Sequence, residues 1–564
     1  MPEDIALPTF DLTTLGEMLR RQGVDARIPH GGDTSVSGLF IDSRKAVPGC
    51  LFLCKGAAFR PQFLADAVAR GAAAFVCEGA AAGGAVPDGG EAELAVPDAL
   101  AQVAPDVPAI VVSDVRRAMG VLSPELFGRP DERLRIAGIT GTKGKSTTAY
   151  MLRAILRAGG IEPSILGSIE TDDGIERFES HNTTPEAPDL WRHLHNSVAA
   201  GRTHLVMEVS SQGLKYDRVD GLHLEIGCFL NIGRDHISAA EHPNFGDYFA
   251  SKLKIFDLCR TAVVNADTDH AEEVLAAAGR APRTVTFGVD ARDTDVRAEN
   301  IAASAAGLEF DVVERAGFAA ECGCEAGEGA GHENVSSRAE GAAGAVGGGA
   351  SDAETAGGEE TRHRIALGMA GLFNVSNALA AVAMARLMGV GYDAIAAGLA
   401  HVRVPGRMEL VSSADGRVLA IVDYAHNELS FKTLFESVKA EYPGRKVVAV
   451  FGAPGGKAYE RRAVLPQVAG RYADLIIYTE EDPAHDAVED ICAELSANTP
   501  AGVAHESIYD RERAVERAFE AAFGFDEPSV VLLLAKGDET RQHRGDEYPE
   551  IVSDLALAKR ILEA

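Results

Sequence analysis

The stretch Leu134-Arg-Ile-Ala-Gly-Ile-Thr140, followed directly by Gly141-Thr-Lys-Gly-Lys-Ser-Thr147, decides the fold of this chain. The first part is apolar and β-branched and predicts a buried strand. The pattern of Ser146–Ala158 predicts a helix, which ends at Gly159-Gly160. A glycine-rich turn between a strand and a helix is the setting in which a backbone wraps around phosphate groups.

The residue types in this turn suit phosphate chemistry. Lys145 can reach the β- and γ-phosphate oxygens of a nucleotide, and Ser146 can offer a hydroxyl to Mg²⁺. The generic phosphate-loop pattern has glycine where this chain has Ile139, so the pattern fails at one position. The strand–turn–helix context still predicts that the turn binds phosphate.

Short β-branched runs alternate with helical patterns along the rest of the chain, which is typical of parallel sheets covered by helices. We therefore expect an α/β fold, with a P-loop-type sheet in the middle of the chain and a Rossmann-like sheet after it. Further strands are predicted at Leu205–Val209, Ile226–Ile232, Ala262–Asn265, Val418–Asp423, Val447–Phe451, Leu475–Tyr478 and Val530–Ala535.

The 564 residues suffice for three or four domains of ordinary size. A polar, proline-containing stretch, Ser123–Glu132, marks the end of an N-terminal block, and a second series of strands begins near Arg417. We predict domains at residues 1–131, 132–404 and 405–564. Gly317–Glu360 is rich in Gly, Ala and Glu and is predicted to be a disordered insertion, whose Cys322 and Cys324 are too few for a zinc site.

Composition excludes several classes of protein. The formal charge is 54 − 84 = −30, which argues against a nucleic-acid-binding surface. No apolar run reaches the length of a membrane span, and the first residues lack the basic and apolar regions of a secretory signal. Eight cysteines are too sparse for a disulfide framework and indicate buried thiols. A cytoplasmic location without membrane contact is expected.

Polar side chains follow two of the predicted strands of the middle block. Glu208 ends one strand, and Asp235-His236 follows the next. Open α/β sheets build their sites at the carboxyl ends of strands, and a carboxylate beside an imidazole there can bind Mg²⁺. The sequence therefore predicts a metal site near the phosphate-binding turn.

Seven motifs occur along the chain: Gly141–Thr147, Thr183-Thr-Pro185, Glu208-Val-Ser-Ser211, Asn231 with Asp235-His236, Asn374-x-x-Asn377, Pro405-Gly-Arg-Met-Glu409 and Asp423-Tyr-Ala-His426. They follow the order found in Mur ligases, and the chain is identified by this resemblance as a member of that family. A further stretch, Asp42–Phe52, is similar to the uridine-nucleotide domain of the MurE group, and the resemblance covers the chain outside the insertion.

The resemblance implies an ATP-dependent ligase of peptidoglycan synthesis with three domains. In the MurE group, ATP activates the D-Glu carboxylate of UDP-N-acetylmuramoyl-L-Ala-D-Glu as an acyl phosphate, and the amine of an amino acid captures it. The implied cofactors are ATP and Mg²⁺. Closure of the C-terminal domain over ATP would exclude water from the acyl phosphate.

The resemblance also assigns residues to the nucleotide and the metal. Lys145, Lys252, Glu208 and His236 are the implied catalytic residues. The metal ligands are Ser146, Glu208, His236 and Lys252, the last as a carbamate. The nucleotide-binding residues are Gly141, Thr142, Lys143, Gly144, Lys145, Ser146, Thr147, Asn374, Asn377, Arg407 and Asp423.

The resemblance also assigns residues to the acid substrate. Ser43 and Arg44 are implied to contact the uridine nucleotide. Arg218 suits a negative charge on the substrate, since a guanidinium matches carboxylate and phosphate geometry. Those implied to bind the muramoyl dipeptide are Thr183, Thr184 and Ser210.

The added amino acid is predicted from the stretch Glu481-Asp-Pro-Ala484. Diaminopimelate-adding relatives carry an arginine where this chain has Ala484, so nothing there pairs with a distal carboxylate. Lys457 stands where those relatives grip the α-carboxylate. The acidic residues that can instead attract a side-chain ammonium are Glu481, Asp482, Asp538 and Glu539, which favours L-lysine.

Other interpretations stay open at this stage. The amino acid can be ornithine or meso-diaminopimelate. The chain can be a different amide ligase on this scaffold, similar to folylpolyglutamate synthase or cyanophycin synthetase. It can also be a non-catalytic protein that binds UDP-muramoyl peptides. A monomer is expected.

Overall fold

The computed structural model describes residues 6–56, 59–81, 94–180, 182–233, 237, 241–304, 307–318 and 360–563. Most of the predicted insertion, with Cys322 and Cys324, lies outside these residues. Within them, three main sheets follow one another along the chain, at residues 26–112, 135–367 and 409–534. The domain boundaries given above remain our proposal.

The N-terminal sheet is parallel except at one edge. Short apolar strands such as Leu51–Leu53 and Ala109–Val112 are buried and form its centre. In spatial order its strands are Ala26–Arg27, Ala109–Val112, Ala74–Glu78, Leu51–Leu53 and Leu39–Phe40. Two small ladders join Phe10–Asp11 to Ser35–Val36 and Ala80–Ala81 to Leu94–Ala95. Its helices are Leu12–Arg21, Pro61–Ala69, Asp98–Val103 and Val115–Leu126, with a 3₁₀ turn at Ser43–Lys45.

The middle sheet has a parallel centre with antiparallel strands at both edges. Arg135–Thr140 runs between two parallel neighbours, so its residues from Ile136 onward are buried. In spatial order the strands are Arg177–Glu179, Glu170–Asp172, Ser164–Leu166, His204–Glu208, Arg135–Thr140, Leu224–Phe229, Cys259–Asn265, Arg283–Gly288, Val296–Ser304, Gly307–Glu314 and Thr361–Leu367.

Helices cover this sheet and form its core with it. The helix Lys145–Ala158, which follows the phosphate-binding turn, packs against Phe373–Leu387 and Tyr392–Ala400. The remaining helices are Ala187–Ala199, Ser211–Lys215, Phe245–Leu253 and Ala271–Ala278, with 3₁₀ turns at Pro130–Arg133 and Lys254–Asp257.

The C-terminal sheet is parallel apart from an antiparallel edge hairpin. Its strands in spatial order are Glu409–Ser412, Val418–Asp423, Ser529–Leu534, Lys446–Phe451, Leu475–Tyr478 and His505–Ser507. Its helices are Glu428–Glu441, Glu460–Ala469, Val488–Ala497, Arg511–Gly524 and Asp554–Leu562. The predicted α/β class with parallel sheets is confirmed, and the antiparallel edges are an addition.

Two local predictions have different outcomes. Ser123–Glu132 is only partly a linker, because the helix Val115–Leu126 continues through Ser123 and Pro124. The predicted buried thiols are confirmed for the described cysteines, Cys50, Cys54, Cys77, Cys228, Cys259 and Cys492, all of which are free and buried. In the part of the chain that the structure describes, no helix combines the length and apolarity needed to cross a membrane.

Candidate active site

The loop 141–147, called here the phosphate loop, joins the strand Arg135–Thr140 to the helix Lys145–Ala158. Gly144 has a φ of +86°, a left-handed conformation that favours glycine. A Cβ atom at this position would lie 2.3 Å from the Oδ1 atom of Asn377. Glycine is therefore required at Gly144 both by the backbone conformation and by the side chain beneath it.

The end of the neighbouring strand fixes the shape of the phosphate loop. The Thr142 N–H donates to the carbonyl of Asn231 at 3.0 Å. The Asn231 side chain accepts from the Lys143 N–H at 2.9 Å and donates to the Lys143 carbonyl at 3.1 Å. Asn231 belongs to a motif quoted above, but sequence reasoning gave it no role; the structure shows that it supports the loop.

Two lysines meet at one carbonyl of the phosphate loop. The ammonium of Lys145 donates to the Gly141 carbonyl at 3.0 Å, and that of Lys252 donates to the same oxygen at 2.9 Å. Lys252 is only 2% exposed and lies 4.8 Å from the ring centre of Tyr248. Tyr248 also shares a 3.0 Å hydrogen bond with Thr142. Unmodified, Lys252 adds a second positive charge to that of Lys145 beside the backbone N–H groups of the loop, and this arrangement attracts anions. A carbamate on Lys252 would reverse its charge and make it a metal ligand instead.

The predicted metal ligand Glu208 lies at the same edge of the sheet. It ends the strand His204–Glu208, and its Cα pairs with that of Ile139 in the phosphate-loop strand. Its buried carboxylate accepts from the Ser168 N–H at 2.7 Å and from the Ser168 hydroxyl at 3.2 Å. The Ser168 hydroxyl is 2.8 Å from that of Thr183. Sequence reasoning missed Ser168, because it lies on a turn without a motif.

The oxygen atoms at this edge of the sheet are of the types that bind a magnesium ion. Carboxylate and hydroxyl oxygens are the ligands that Mg²⁺ prefers, and Glu208 and Ser146 supply both. Ser146 lies in the first turn of its helix and is 8% exposed. Asp235 and His236 lie outside the described residues, so the predicted role of His236 stays a prediction. A carbamylated Lys252 would keep one N–H for its bond to Gly141.

The residues predicted for the muramoyl dipeptide are brought together beside Glu208. The Thr184 hydroxyl donates to the Glu208 carbonyl at 3.0 Å and accepts from the Ser210 N–H at 2.9 Å. Ser210 caps the helix Ser211–Lys215 through a 3.0 Å bond from the Gly213 N–H. The guanidinium of Arg218 donates to the Thr184 carbonyl at 3.0 Å.

Asn374 and Asn377 share one face of a helix, as predicted, and are 1% and 6% exposed. The Asn377 amide donates to Asn374 at 2.9 Å, and the Asn374 amide donates to the Ala370 carbonyl at 2.6 Å. Asn377 also accepts from Thr148 at 3.4 Å. Asn377 thus lies against Gly144 of the phosphate loop, and Asn374 holds Asn377 in place. The contact of both residues with adenine stays a prediction.

The C-terminal domain faces the phosphate loop through the motif that begins at Asp423. The Asp423 carboxylate accepts from the N–H groups of Met408 and Ala425 at 2.9 and 2.7 Å. Burial raises its pKa, while the positive charges of Arg407 and Lys143 oppose that shift. A loop lysine is therefore close enough to act on a carboxylate of the next domain.

His426 lies in the same interdomain region. Burial, followed by the positive charges of Lys143 and Arg461, lowers the pKa of His426 to about 3. The imidazole is consequently neutral at pH 7 and is surrounded by cations. Sequence reasoning assigned no role to Arg461, or to His426, although His426 lies in a quoted motif.

The acidic cluster, defined as Glu481, Asp482, Asp538 and Glu539, is partly occupied by the protein itself. The ammonium of Lys536, which is 1% exposed, lies 2.9 Å from Asp482 and 2.5 Å from Glu539. Lys536 carries one positive charge against two carboxylates, so it offsets only part of their charge. The role of Asp482 and Glu539 in attracting a substrate ammonium stays a prediction.

Glu481 differs from these two carboxylates. Burial raises its pKa to about 7, and the positive charge of Arg461 is the largest influence that opposes this rise. Its Oε2 atom is buried and has no hydrogen-bond partner among the described residues. A buried acceptor without a donor is unfavourable by about 1–3 kcal/mol and suits an incoming ammonium group.

Two of the remaining predicted residues, Arg44 and Lys457, are exposed, and Ser43 is buried. Arg44 is exposed and paired with Asp42 at 2.8 Å, while Ser43 is buried in the same turn. This turn faces the middle domain, because Lys45 lies 3.5 Å from Asp189. Lys457 is exposed on the loop that precedes the helix Glu460–Ala469.

Comparison with known proteins identifies relatives over nearly the whole chain. Residues 139–385 match the Mur ligase middle domain, and residues 406–537 match the Mur ligase, glutamate ligase domain. The UDP-N-acetylmuramyl-tripeptide synthetase of Lactobacillus delbrueckii subsp. bulgaricus is 34% identical over 550 residues, which cover 94% of each chain. The UDP-N-acetylmuramoyl-L-alanyl-D-glutamate–L-lysine ligase of Enterococcus faecalis is 31% identical, covering 94% of this chain and 92% of its own.

A solved structure shares the fold. The UDP-N-acetylmuramoyl-L-alanyl-D-glutamate–2,6-diaminopimelate ligase superposes with a TM-score of 0.61 at 22% identity, covering 99% of both chains.

Proposed function

The chain belongs to the Mur ligase family, and we propose that it uses ATP to join L-lysine to UDP-N-acetylmuramoyl-L-Ala-D-Glu. The observation that carries this proposal is the meeting of Lys145 and Lys252 at the Gly141 carbonyl, beside Glu208 at the same edge of the sheet. Such a site can bring together two anions, a γ-phosphate and a carboxylate, that otherwise repel each other.

The chain's residues divide the work as follows. Backbone N–H groups of the phosphate loop and Lys145 hold the phosphates, and Lys145 stabilises the charge on the phosphoryl group during transfer. Thr183, Ser210 and Arg218 orient the acid so that its carboxylate faces that group. Thr184, whose buried hydroxyl is bonded to Glu208 and Ser210, holds these residues in place. Mg²⁺, held by Ser146 and Glu208, would neutralise phosphate charge. The amine of lysine then attacks the acyl carbon of the acyl phosphate. The new C–N bond replaces the C–O bond to phosphate, inorganic phosphate leaves, and the nitrogen gives up a proton.

The choice of L-lysine rests on the C-terminal domain. Ala484 offers no cation to a distal carboxylate, whereas the buried Oε2 atom of Glu481 lacks a donor among the described residues. A lysine side-chain ammonium supplies that donor and a compensating charge. The name of the Enterococcus faecalis relative agrees with this choice. The free, buried cysteines suit a reducing compartment, so we place the enzyme in the cytoplasm. We also propose that it is a monomer.

One experiment tests the proposal. The protein is incubated with ATP, Mg²⁺ and UDP-N-acetylmuramoyl-L-Ala-D-Glu, and lysine, ornithine or meso-diaminopimelate is added in separate reactions. Mass spectrometry identifies the product, and release of ADP is measured in parallel. We expect the lysine tripeptide, with one ADP per amide formed. A preference for diaminopimelate would overturn the lysine assignment, and the absence of ADP and of product would overturn the ligase assignment.

A further inference from the structure

Glu186 follows the Thr183-Thr-Pro185 motif and stands at the start of the helix Ala187–Ala199. A carboxylate at this position commonly caps the helix, but the Glu186 side chain makes no capping hydrogen bond. It turns instead towards two cations from different domains. Helix capping therefore does not explain the position of the Glu186 side chain.

The two cations approach opposite oxygens of the same carboxylate. Arg218, in the middle domain, lies 2.8 Å from Oε1 of Glu186. Lys55, which follows the N-terminal strand Leu51–Leu53, forms an ion pair with Oε2. The side chains of Lys55, Glu186 and Arg218 are 12%, 21% and 15% exposed, so solvent screens these pairs only partly.

This triad adjoins the residues that hold the acid substrate in the proposed function. Arg218 also donates to the Thr184 carbonyl, and Thr184 in turn holds Ser210 and Glu208. The three charges sum to +1, because two cations share one carboxylate. The result is a cationic site in which Glu186 sets the separation of the two positive groups. The site forms only when the two domains are in contact.

We propose that Glu186 is a positioning residue that holds Arg218 and Lys55 in the orientation needed to bind an anionic group of the acid substrate. This inference rests on the proposed function. Arg218 is restrained at two of its nitrogen atoms, by Glu186 and by the Thr184 carbonyl. Without Glu186, two cations lose their common partner and repel each other, and the guanidinium loses one of its restraints.

The test uses the full-length enzyme and the Glu186→Gln, Glu186→Asp and Lys55→Met variants. KM for the acid substrate, KM for ATP, kcat and Tm are measured for each. The matched control is Asp220→Asn, which breaks another ion pair between these domains, Arg117 with Asp220, whose side chains are 36% and 32% exposed. This control separates loss of an interdomain pair from loss of substrate positioning.

We expect Glu186→Gln to raise KM for the acid at least about tenfold, with kcat and KM for ATP changed less than about threefold. Lys55→Met should act in the same direction, Glu186→Asp should recover part of the loss, and Asp220→Asn should leave KM unchanged. An unchanged or lower KM in Glu186→Gln, or an equal rise in Asp220→Asn, would overturn the proposal. Failure of the wild-type enzyme to form any amide would instead refute the proposed function.

The same variants identify the source of the anion. Inhibition by UDP probes the diphosphate, and inhibition by L-Ala-D-Glu probes the peptide carboxylates. Weaker inhibition of Glu186→Gln by either compound supports the proposal and assigns the group. Unchanged inhibition by both compounds, as for an anion bound elsewhere, would contradict it.

Discussion

The phosphate loop and the acidic cluster are both rich in charge, but they are built in different ways. At the phosphate loop, Lys145 and Lys252 donate to a single backbone carbonyl, and Asn231 fixes the loop through backbone hydrogen bonds. In the acidic cluster, Lys536 offsets one of the two negative charges of Asp482 and Glu539. The comparison teaches that the phosphate loop takes its shape from hydrogen bonds to backbone groups, whereas the acidic cluster takes its shape from ion pairs between side chains.

The largest effect is expected at the phosphate loop. Lys145→Ala should reduce turnover at least about a thousandfold, because a charge that stabilises the transferred phosphoryl group is lost in a site of fixed geometry. Binding of the acid substrate, measured by calorimetry, should survive. Lys432→Ala, an exposed lysine on a C-terminal helix, is the control and should retain full activity. A nearly active Lys145→Ala variant would contradict the role of Lys145 in phosphoryl transfer.

A second variant tests whether Lys536 stabilises the folded protein. Lys536→Met should lower the free energy of unfolding by about 1–3 kcal/mol, because Asp482 and Glu539, which are 30% and 29% exposed, lose their common partner. Chemical denaturation measures this change. The double variant with Asp482→Asn should recover part of the loss. If Lys536→Met is as stable as the wild type, the acidic cluster is not occupied as described.

Two glycines with similar backbone conformations test whether the contact between Gly144 and Asn377 matters for ATP binding. Gly144→Ala should raise KM for ATP about tenfold or more, because its Cβ would press on Asn377 beneath the loop. Gly160 has a φ of +78°, and among the described residues no neighbouring atom lies within 4 Å of where a Cβ would be. Gly160→Ala therefore carries only the backbone strain of about 1 kcal/mol. Equal effects of the two substitutions on KM for ATP would show that the contact with Asn377 is unimportant.

The smallest effect is a pH dependence at Glu481. Its pKa of about 7 in the folded protein lies above the ordinary 4.5, so the unfolded carboxyl loses its proton first as the pH rises. Stability is therefore lost between about pH 4.5 and 7, and Glu481→Gln should lack this part of the pH profile. Denaturation at pH 5 and pH 8 measures the difference.

The same titration should affect substrate binding. Only ionised Glu481 attracts an ammonium strongly, so KM for lysine should fall about tenfold from pH 6 to pH 8 as the carboxyl ionises. Glu481→Gln should show a higher KM without this fall, and Glu520→Gln, at an exposed position of the same domain, serves as the control. A pH-independent KM in the wild type would contradict the assignment of Glu481 to the amino acid.

Sequence reasoning succeeded where neighbouring residues act together. The strand, the phosphate loop and the helix are adjacent in the chain, so the local pattern predicted their geometry, and Glu208 was placed by the edge of the sheet. The pairing of Asp482 with Lys536 joins residues 54 positions apart, and only the fold brings them together. For the same reason the triad of Lys55, Glu186 and Arg218 could not be predicted from any single motif.

The most direct test of the central claim follows one oxygen atom. If the phosphate loop delivers the terminal phosphoryl group of ATP to the D-Glu carboxylate, then acid labelled with ¹⁸O in that carboxylate must pass one labelled oxygen to inorganic phosphate when the amide forms. We predict one ¹⁸O atom per phosphate released, measured by mass spectrometry or ³¹P NMR. Amide formation with unlabelled phosphate would contradict the account.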